Sequence, residues 1–307
     1  MVSALAAGPP DPDLERAYAA CERLARTHYE NFPVASFLLP KRMRPGIAAI
    51  YAFARCADDF ADEPGYADAE RLRLLDDWTS RLRRAASAAP LEPAAPLDHP
   101  ADTNDLIFLA LQDTMRRHRL PLSLFEDLLS AFRQDVTVTR YRTWEDLLDY
   151  CSRSANPVGR LVLRVAGHED ASLDRASDAV CTALQLTNFW QDIGRDWGAG
   201  RLYVPLDARD RTGARESDLA SGRMTLEWRA AMKTLVRQTR DLFAAGRPVC
   251  DGVRGRLKLE LRLTWLGGSR VLDRIEEADY DVFHRRPALG GADILPILWR
   301  AAAWKRG

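Results

Sequence analysis

Apolar residues recur every three to four positions along nearly the whole chain, with charged residues between them. That period is the mark of amphipathic helices. It predicts helical runs over Asp13–Tyr29, Pro45–Asp62, Ala67–Ala85, Asp105–His118, Ser123–Val136, Thr143–Ala166, Leu173–Trp197, Thr225–Ala245 and Arg254–Ala278. No segment alternates apolar and polar residues long enough to argue a sheet, so the expected class is all-α. Pro45 suits a first helical turn, where its missing N–H has no intrahelical acceptor. Thr143-Trp144-Glu145-Asp146 reads as a capping box with Asp in the place of Glu. Pro157 is expected to kink its helix by removing the hydrogen bond to the Arg153 carbonyl, with Asn156 placed to satisfy the freed groups.

Three stretches break the pattern. Ala85–Asp105 carries Pro90, Pro93, Pro96 and Pro100 and is expected to be a surface loop. Gly198–Gly213 is a second irregular stretch, and residues 1–12 are expected to be a disordered N-terminus. Residues 13–307 are expected to form a single domain, because acidic clusters on either side of the proline-rich loop make sense only together.

Those clusters are Asp58-Asp59-Phe60-Ala61-Asp62 and Asn188-Phe189-Trp190-Gln191-Asp192-Ile193-Gly194-Arg195-Asp196. In each, the outer aspartates are four apart and rise from one helix face on successive turns. Like charges at that spacing repel, and both clusters lie in sequence rich in Ala, Leu, Ile and Phe. Ile47–Ala57 is so uniformly apolar that the first aspartates are expected to be buried and to need partners. Magnesium, which prefers carboxylate, phosphate and water oxygens, would compensate both. Two such helices facing one another across a cavity would hold a diphosphate between ions. Asn188 and Gln185 lie one and two turns before Asp192 and add neutral oxygens near that stripe. Arg55, three residues before Asp58, is placed either to grip phosphate or to pair with Asp58 or Asp59. Arg201 and Tyr203 follow the second ladder.

The 307 residues hold 44 Lys+Arg against 44 Asp+Glu. Zero net charge gives no reason to expect nucleic acid or general attraction to an anionic membrane. The five cysteines include no C-x-x-C pair, which fits reduced thiols in a cytoplasmic protein better than zinc or disulfides. No secretory signal is visible in Met1–Pro12, and no stretch approaches the roughly 18 apolar residues of a membrane span. The apolar and basic tail from Ile294 through Arg306 fits either a final helix docked on the core or peripheral membrane contact.

The ordered set Leu39-Pro40, Tyr51-Ala52-Phe53-Ala54-Arg55 running into the first aspartates, Tyr150-Cys151, Gln185-Leu186-Thr187-Asn188 running into the second, Gly200-Arg201-Leu202-Tyr203-Val204-Pro205 and Ala278-Asp279-Tyr280 resembles the head-to-head prenyl synthases, the squalene and phytoene synthases. The resemblance spans about His28 to Arg285. It implies a helical isoprenoid-synthase bundle with a central cavity, and magnesium bound by Asp58, Asp62, Asn188, Asp192 and Asp196. It also implies that Tyr51, Arg55, Gln185, Arg201, Tyr203 and Arg285 serve a prenyl diphosphate substrate, and Gln191, a departure from the family, is expected to join them. Asn31-Phe32-Pro33-Val34-Ala35-Ser36, Ser154-Ala155-Asn156-Pro157-Val158-Gly159 and Asn188-Phe189-Trp190-Gln191-Asp192 look like a hopanoid-pathway branch. The reaction implied is conversion of presqualene diphosphate to hydroxysqualene, with no NADPH requirement expected. Head-to-head condensation of two farnesyl or two geranylgeranyl diphosphates is the alternative.

Departures from the family pattern carry their own expectations. Tyr29 and Asn31 stand where serines usually hold phosphate, which suits a site handling one diphosphate rather than two. Gln191 replaces an arginine, either positioning a water or facing outward beside Asp192. Gly267-Gly268 stand near a usual pocket tyrosine. Phe32, Phe53, Phe189 and Trp190 are candidates to soften a carbocation, or plain core. Two rivals are weaker. All-α magnesium nucleotide pyrophosphohydrolases need a polar pocket, against these apolar surroundings. Non-catalytic assembly factors of this type have lost the aspartates that are present here.

Overall fold

The computed structural model describes residues 11–27, 39–62, 65–87 and 103–304. The expectations placed on Tyr29, Asn31 and Phe32, on residues 1–10 and on the centre of the proline-rich loop lie outside them. The described residues are helical throughout, with one isolated bridge, Arg140 to Leu202, in place of any strand. The chain forms two compact units.

The first unit runs to Val136 and includes Arg164–Gly167. Its helices are α1 (Pro12–Thr27), α2 (Arg44–Asp62), α3 (Asp68–Ser87), α4 (Thr103–His118) and α5 (Leu122–Thr137). Helices α1, α2 and α4 pack on one another, and α3 packs on α2 and α4. Pro45 lies in the first turn of α2, as its chemistry requires. The apolar body of α2 is buried through Ala48, Ala49, Ile50, Ala52, Phe53 and Ala57. Phe53 is fully buried, 5.9 Å from Trp78 and 5.5 Å from Phe125 between ring centres. Its role is therefore core packing, not a cavity wall. Asp113 of α4 is buried, and the Tyr18 hydroxyl of α1 donates to it at 2.7 Å while Arg116 and Arg117 pair with it at 3.2 and 2.6 Å. A carboxylate this buried is tolerable only with that full set of donors.

The second unit holds Thr137–Leu163 and His168 onward. Its helices are α6 (Trp144–Ser154), α7 (Asn156–Val165, whose end passes into the first unit), α8 (Ala171–Gly198), α9 (Leu226–Gly246), α10 (Gly255–Glu277) and α11 (Gly291–Ala302), with short turns at Leu206–Asp210, Glu216–Ala220 and Val249–Gly252. The 28-residue α8 packs along α9 and also meets α6 and α10. The Thr143 capping box is present: Asp146 N–H donates to Thr143 Oγ1 at 3.1 Å, and Thr143 N–H to Asp146 Oδ2 at 3.0 Å.

Pro157 does more than kink its helix. It separates α6 from α7 at Ala155. Asn156 does not satisfy freed backbone groups there; its Oδ1 accepts from the Thr182 hydroxyl of α8 at 2.9 Å. The glycine near the family's usual pocket tyrosine is likewise explained by packing. A Cβ on Gly268 would lie 2.6 Å from both Leu184 Cδ2 and Phe243 Cζ, so those two side chains fill the space. All five cysteines are free, and burial raises each thiol's pKa: Cys21 and Cys250 to about 12, Cys56 and Cys181 to about 11, and Cys151 further still. None is poised as a nucleophile at neutral pH.

Two predictions test these buried charges. Asp113→Ala, which removes the partner of Arg116 and Arg117 and leaves the Tyr18 hydroxyl bonded to Thr114 Oγ1 alone, is expected to lower stability by about 1–2 kcal/mol in chemical denaturation. Glu260 of α10 is buried, its Oε2 has no hydrogen-bond partner among the described residues, and desolvation raises its pKa to about 8. The unfolded chain ionises this group near pH 4.3 while the folded one resists, so stability falls as pH rises from about 4.5 to 8. Glu260→Gln is expected to match the parent at pH 4 and to be about 2–3 kcal/mol more stable at pH 8, as read from denaturation midpoints at both pH values.

Candidate functional site

The second acidic ladder is set by α8. Asp170 caps that helix by accepting from Ser172 N–H at 2.8 Å and Leu173 N–H at 3.0 Å. The apolar side of α8 is fixed by Leu186, Phe189, Trp190 and Ile193, all buried. Trp190 is core, its Nε1 donating to Thr239 Oγ1 of α9 at 2.8 Å. With that face committed, the remaining stripe carries Gln185, Asn188, Asp192 and Asp196. Asn188 is exposed and Gln185 and Asp196 are half-buried, while the Asp192 side chain is 12% exposed.

A strap of chain lies on this helix. After α10 the backbone reverses at Asp279 and Tyr280, both left-handed with φ of 50° and 59°. Such conformations are strained outside glycine and need support. Arg229 of α9 supplies it, donating to the Asp279 carbonyl at 2.6 Å and to its carboxylate. The strap then meets α8 residue by residue. Phe283 passes so close to Gly194 that a Cβ there would lie 2.6 Å from the Phe283 carbonyl oxygen. Arg286 grips Asp192 with both ends of its fork, Nε to Oδ1 at 2.5 Å and Nη2 to Oδ2 at 3.1 Å. The Gln191 amide donates to the Pro287 carbonyl. The hydrogen bond to Asp192, with its charge adding and burial opposing, raises the Arg286 pKa above its ordinary value. Arg195 stands 3.8 Å from the same carboxylate.

The expected side chains are therefore partly rearranged. Arg285 is exposed, and its neighbour Arg286 makes the contact. Gln191 is buried and bonded to the strap, so the outward-facing amide is ruled out. The doublet Arg285-Arg286 before Pro287 was the only sequence signal for this strap, and it carries no periodicity to say which arginine turns inward.

The loop after α8 brings Arg201 and Tyr203 to the same unit. Gly200, at φ 81°, turns the chain, and Arg201 N–H donates to the Asp196 carbonyl at 2.7 Å. Arg140 braces the loop by donating to the Gly200 carbonyl at 2.7 Å and to Glu216 at 3.1 Å. Tyr203 then lies flat on Phe189, 3.7 Å between ring centres with planes 6° apart, and Tyr141 and Tyr150 complete an aromatic cluster. Tyr141 was not foreseen as part of it.

In the first unit, Arg55 donates to Asp58 at 3.3 Å and to Asp59, the intrahelical pairing its spacing allowed. Asp58 and Asp59 are each 39% exposed and Asp62 is exposed, so the first ladder is not buried as its apolar helix suggested. The helix body is buried and its acidic end emerges. Tyr51 is half-buried one turn before Arg55.

On α8, Asn188, Asp192 and Asp196 offer hard amide and carboxylate oxygens, the donor type magnesium takes, although no cluster of three or more His, Cys, Asp or Glu side chains among the described residues is gathered closely enough to hold a metal ion. Arg286, a cation of this chain, already meets the charge of Asp192.

Comparison with known proteins gives the class. The model of the Squalene/phytoene synthase family matches residues 25–293. The hydroxysqualene synthase of Zymomonas mobilis is 41% identical over 217 residues, covering 70% of this chain and 67% of that protein. That of Sinorhizobium fredii is 34% identical over 252 residues, covering 81% and 80%. The solved structure of squalene synthase HpnC from Alicyclobacillus acidocaldarius superposes with a TM-score of 0.78 at 39% identity, covering 87% of this chain and 96% of that one. This chain belongs to the squalene/phytoene synthase family. It is an all-α isoprenoid-biosynthetic transferase whose family uses prenyl diphosphate substrates. No helix among the described residues is long and apolar enough to cross a membrane.

The strap supplies a direct test. Glycine to alanine inside a helix ordinarily stabilises by up to about 1 kcal/mol. Gly194→Ala is instead expected to destabilise by about 1–3 kcal/mol and to speed amide exchange across residues 283–289, because the new Cβ meets backbone.

Proposed function

We propose that this chain converts presqualene diphosphate to hydroxysqualene and releases diphosphate, with magnesium held by Asp58, Asp62, Asn188, Asp192 and Asp196. The observation that carries the reading is its likeness, across most of its length, to curated hydroxysqualene synthases. The oxygen-rich stripe of α8, with an arginine already drawn to Asp192, supports it chemically. In this reading the carbon–oxygen bond to diphosphate breaks, with the electron pair leaving on diphosphate. A water oxygen then bonds to the carbocation and loses its proton. Magnesium, when bound, supplies electrostatic stabilisation of the leaving diphosphate.

The chain's own residues do the rest. Arg286 exchanges the Asp192 carboxylate for diphosphate oxygens, a trade its planar fork suits. Arg55 and Arg201 add positive charge to the leaving group, and Tyr51, Gln185 and Arg285 line its path. The Tyr203–Phe189 stack presents an aromatic face to cationic carbon, worth about 0.5–2 kcal/mol. Gln191 has its Nε2 committed to Pro287, and its Oε1 accepts a hydrogen bond from the attacking water. No step calls for NADPH.

A second reading has its own support, because the superposed HpnC is a squalene synthase. In it, two farnesyl diphosphates are condensed head to head. One assay separates the two. The purified protein is given presqualene diphosphate or farnesyl diphosphate, with and without magnesium and NADPH, in ¹⁸O-labelled water. The expected product is labelled hydroxysqualene from presqualene diphosphate, with magnesium and without NADPH. Squalene from farnesyl diphosphate with NADPH would establish the second reading instead. Asp192→Asn is expected to lower turnover by about 10²–10³-fold while leaving the far-UV circular dichroism spectrum unchanged; full activity in that variant would remove the α8 ladder from the chemistry.

A further inference from the structure

Helix α11 is docked the wrong way round for a helix surrounded by water. An amphipathic surface helix turns its apolar stripe to the core and its polar residues outward. Here the acid turns inward. Asp293 is buried and bonded by Arg270 Nε at 2.7 Å, by Arg274 Nη2 at 3.0 Å and by the Gly290 N–H at 2.8 Å. Ala301 is buried two turns further on, with its carbonyl facing Arg262. Beyond the helix, Trp304 donates to Asp251 at 3.3 Å and lies under the guanidinium of Arg247, 4.5 Å from the ring centre. The helix is therefore held at both ends by polar contacts that fix its rotation.

That rotation leaves the apolar residues outside. Ile294, Leu295, Leu298 and Trp299 are 52, 75, 42 and 72% exposed, and Leu289 just before the helix is 44% exposed. They lie at i, i+1, i+4 and i+5, one continuous stripe on successive turns. Isolated exposed leucines need no explanation, but a stripe of this kind marks a binding surface.

We propose that the outward face of α11 is a lipid-docking surface, lying flat in the interface of a membrane leaflet that carries anionic headgroups. Charge selects this occupant. The only acid of α11 is Asp293, buried and held by two arginines, so the charge exposed on the helix is Arg300 alone, and the sequence continues into Lys305 and Arg306. A greasy stripe whose helix exposes only basic charge, with Asp273 and Glu277 of the neighbouring α10 held in ion pairs with Arg270, complements acyl chains beneath phosphate headgroups. Trp299, amphipathic and exposed, is the side chain that favours such an interface. A second copy of the chain meeting this face about a twofold axis would bring Arg300 toward its own counterpart. At 12 residues the helix spans about 18 Å, too short to cross a bilayer and suited to lying along it. The inference does not depend on which prenyl diphosphate is consumed.

The test uses the full chain and sedimentation with vesicles of phosphatidylcholine alone or mixed with phosphatidylglycerol. The parent protein is expected to partition onto the mixed vesicles more strongly than onto phosphatidylcholine, and less so at high salt. Leu295→Glu combined with Trp299→Glu is expected to lower that partitioning at least about tenfold. Its thermal midpoint should not fall, since both side chains are exposed. Parent protein that stays in solution with mixed vesicles overturns the proposal, as does a double variant that partitions like the parent. Sedimentation equilibrium supplies the remaining outcome: a dimer that the double substitution splits, with no vesicle binding by the parent, would assign the face to a second copy instead.

Discussion

The arrangement of the second unit around α8 depends on one charge being compensated. Asp192 sits on a helix whose other faces are committed to the core, and a carboxylate there needs a cation. The chain supplies its own through Arg286, and the requirement reaches well beyond the pair. It fixes the strap on α8, which in turn needs the left-handed turn at Asp279 and Tyr280, the Arg229 brace, and a residue without a side chain at Gly194. The first ladder solves the same problem locally. Arg55 lies one turn away on the same helix, and water reaches the acidic end.

Aromatic placement follows the same division between committed and open faces. Phe53 and Trp190 are consumed by packing, each closed in by helices of its own unit. Tyr203 is placed differently. Its position on Phe189 is imposed by a loop that Arg140 and Gly200 hold in place, so the stack is built from polar contacts at its edge. That is a more adjustable arrangement than a core aromatic.

Much of this was legible in the sequence where period and spacing decide structure. The helices, the Thr143 capping box, the Pro45 start and both aspartate ladders follow from local rules, and the ordered motifs pointed to the family that the comparisons establish. What was not legible depended on contacts between distant segments. The strap has no period, so nothing in the sequence marked Arg286 as the partner of Asp192, and Gln191 looked free to face outward. At the break that Pro157 makes at Ala155, Asn156 bonds Thr182 on another helix, a contact that local spacing does not announce. The exposure of Asp58 and Asp62 escaped notice because an apolar helix body says nothing about where that helix ends. The rotation of α11 was hidden for the same reason: Asp293 is drawn inward by two arginines some twenty residues earlier.

The strap's antiparallel pairing, Phe283 at Gly194, Arg286 at Asp192 and Pro287 at Gln191, makes this a loop whose length matters as much as its composition. Connecting segments ordinarily accept insertions and deletions with little effect. Here a slip in register has unequal outcomes. One extra residue after Tyr280 would carry Arg285 into the position opposite Asp192 and preserve a guanidinium there. One residue fewer would bring up Pro287, which has neither charge nor N–H, and leave the carboxylate unanswered. The arginine doublet thus tolerates lengthening and not shortening, an asymmetry written into the spacing of the chain.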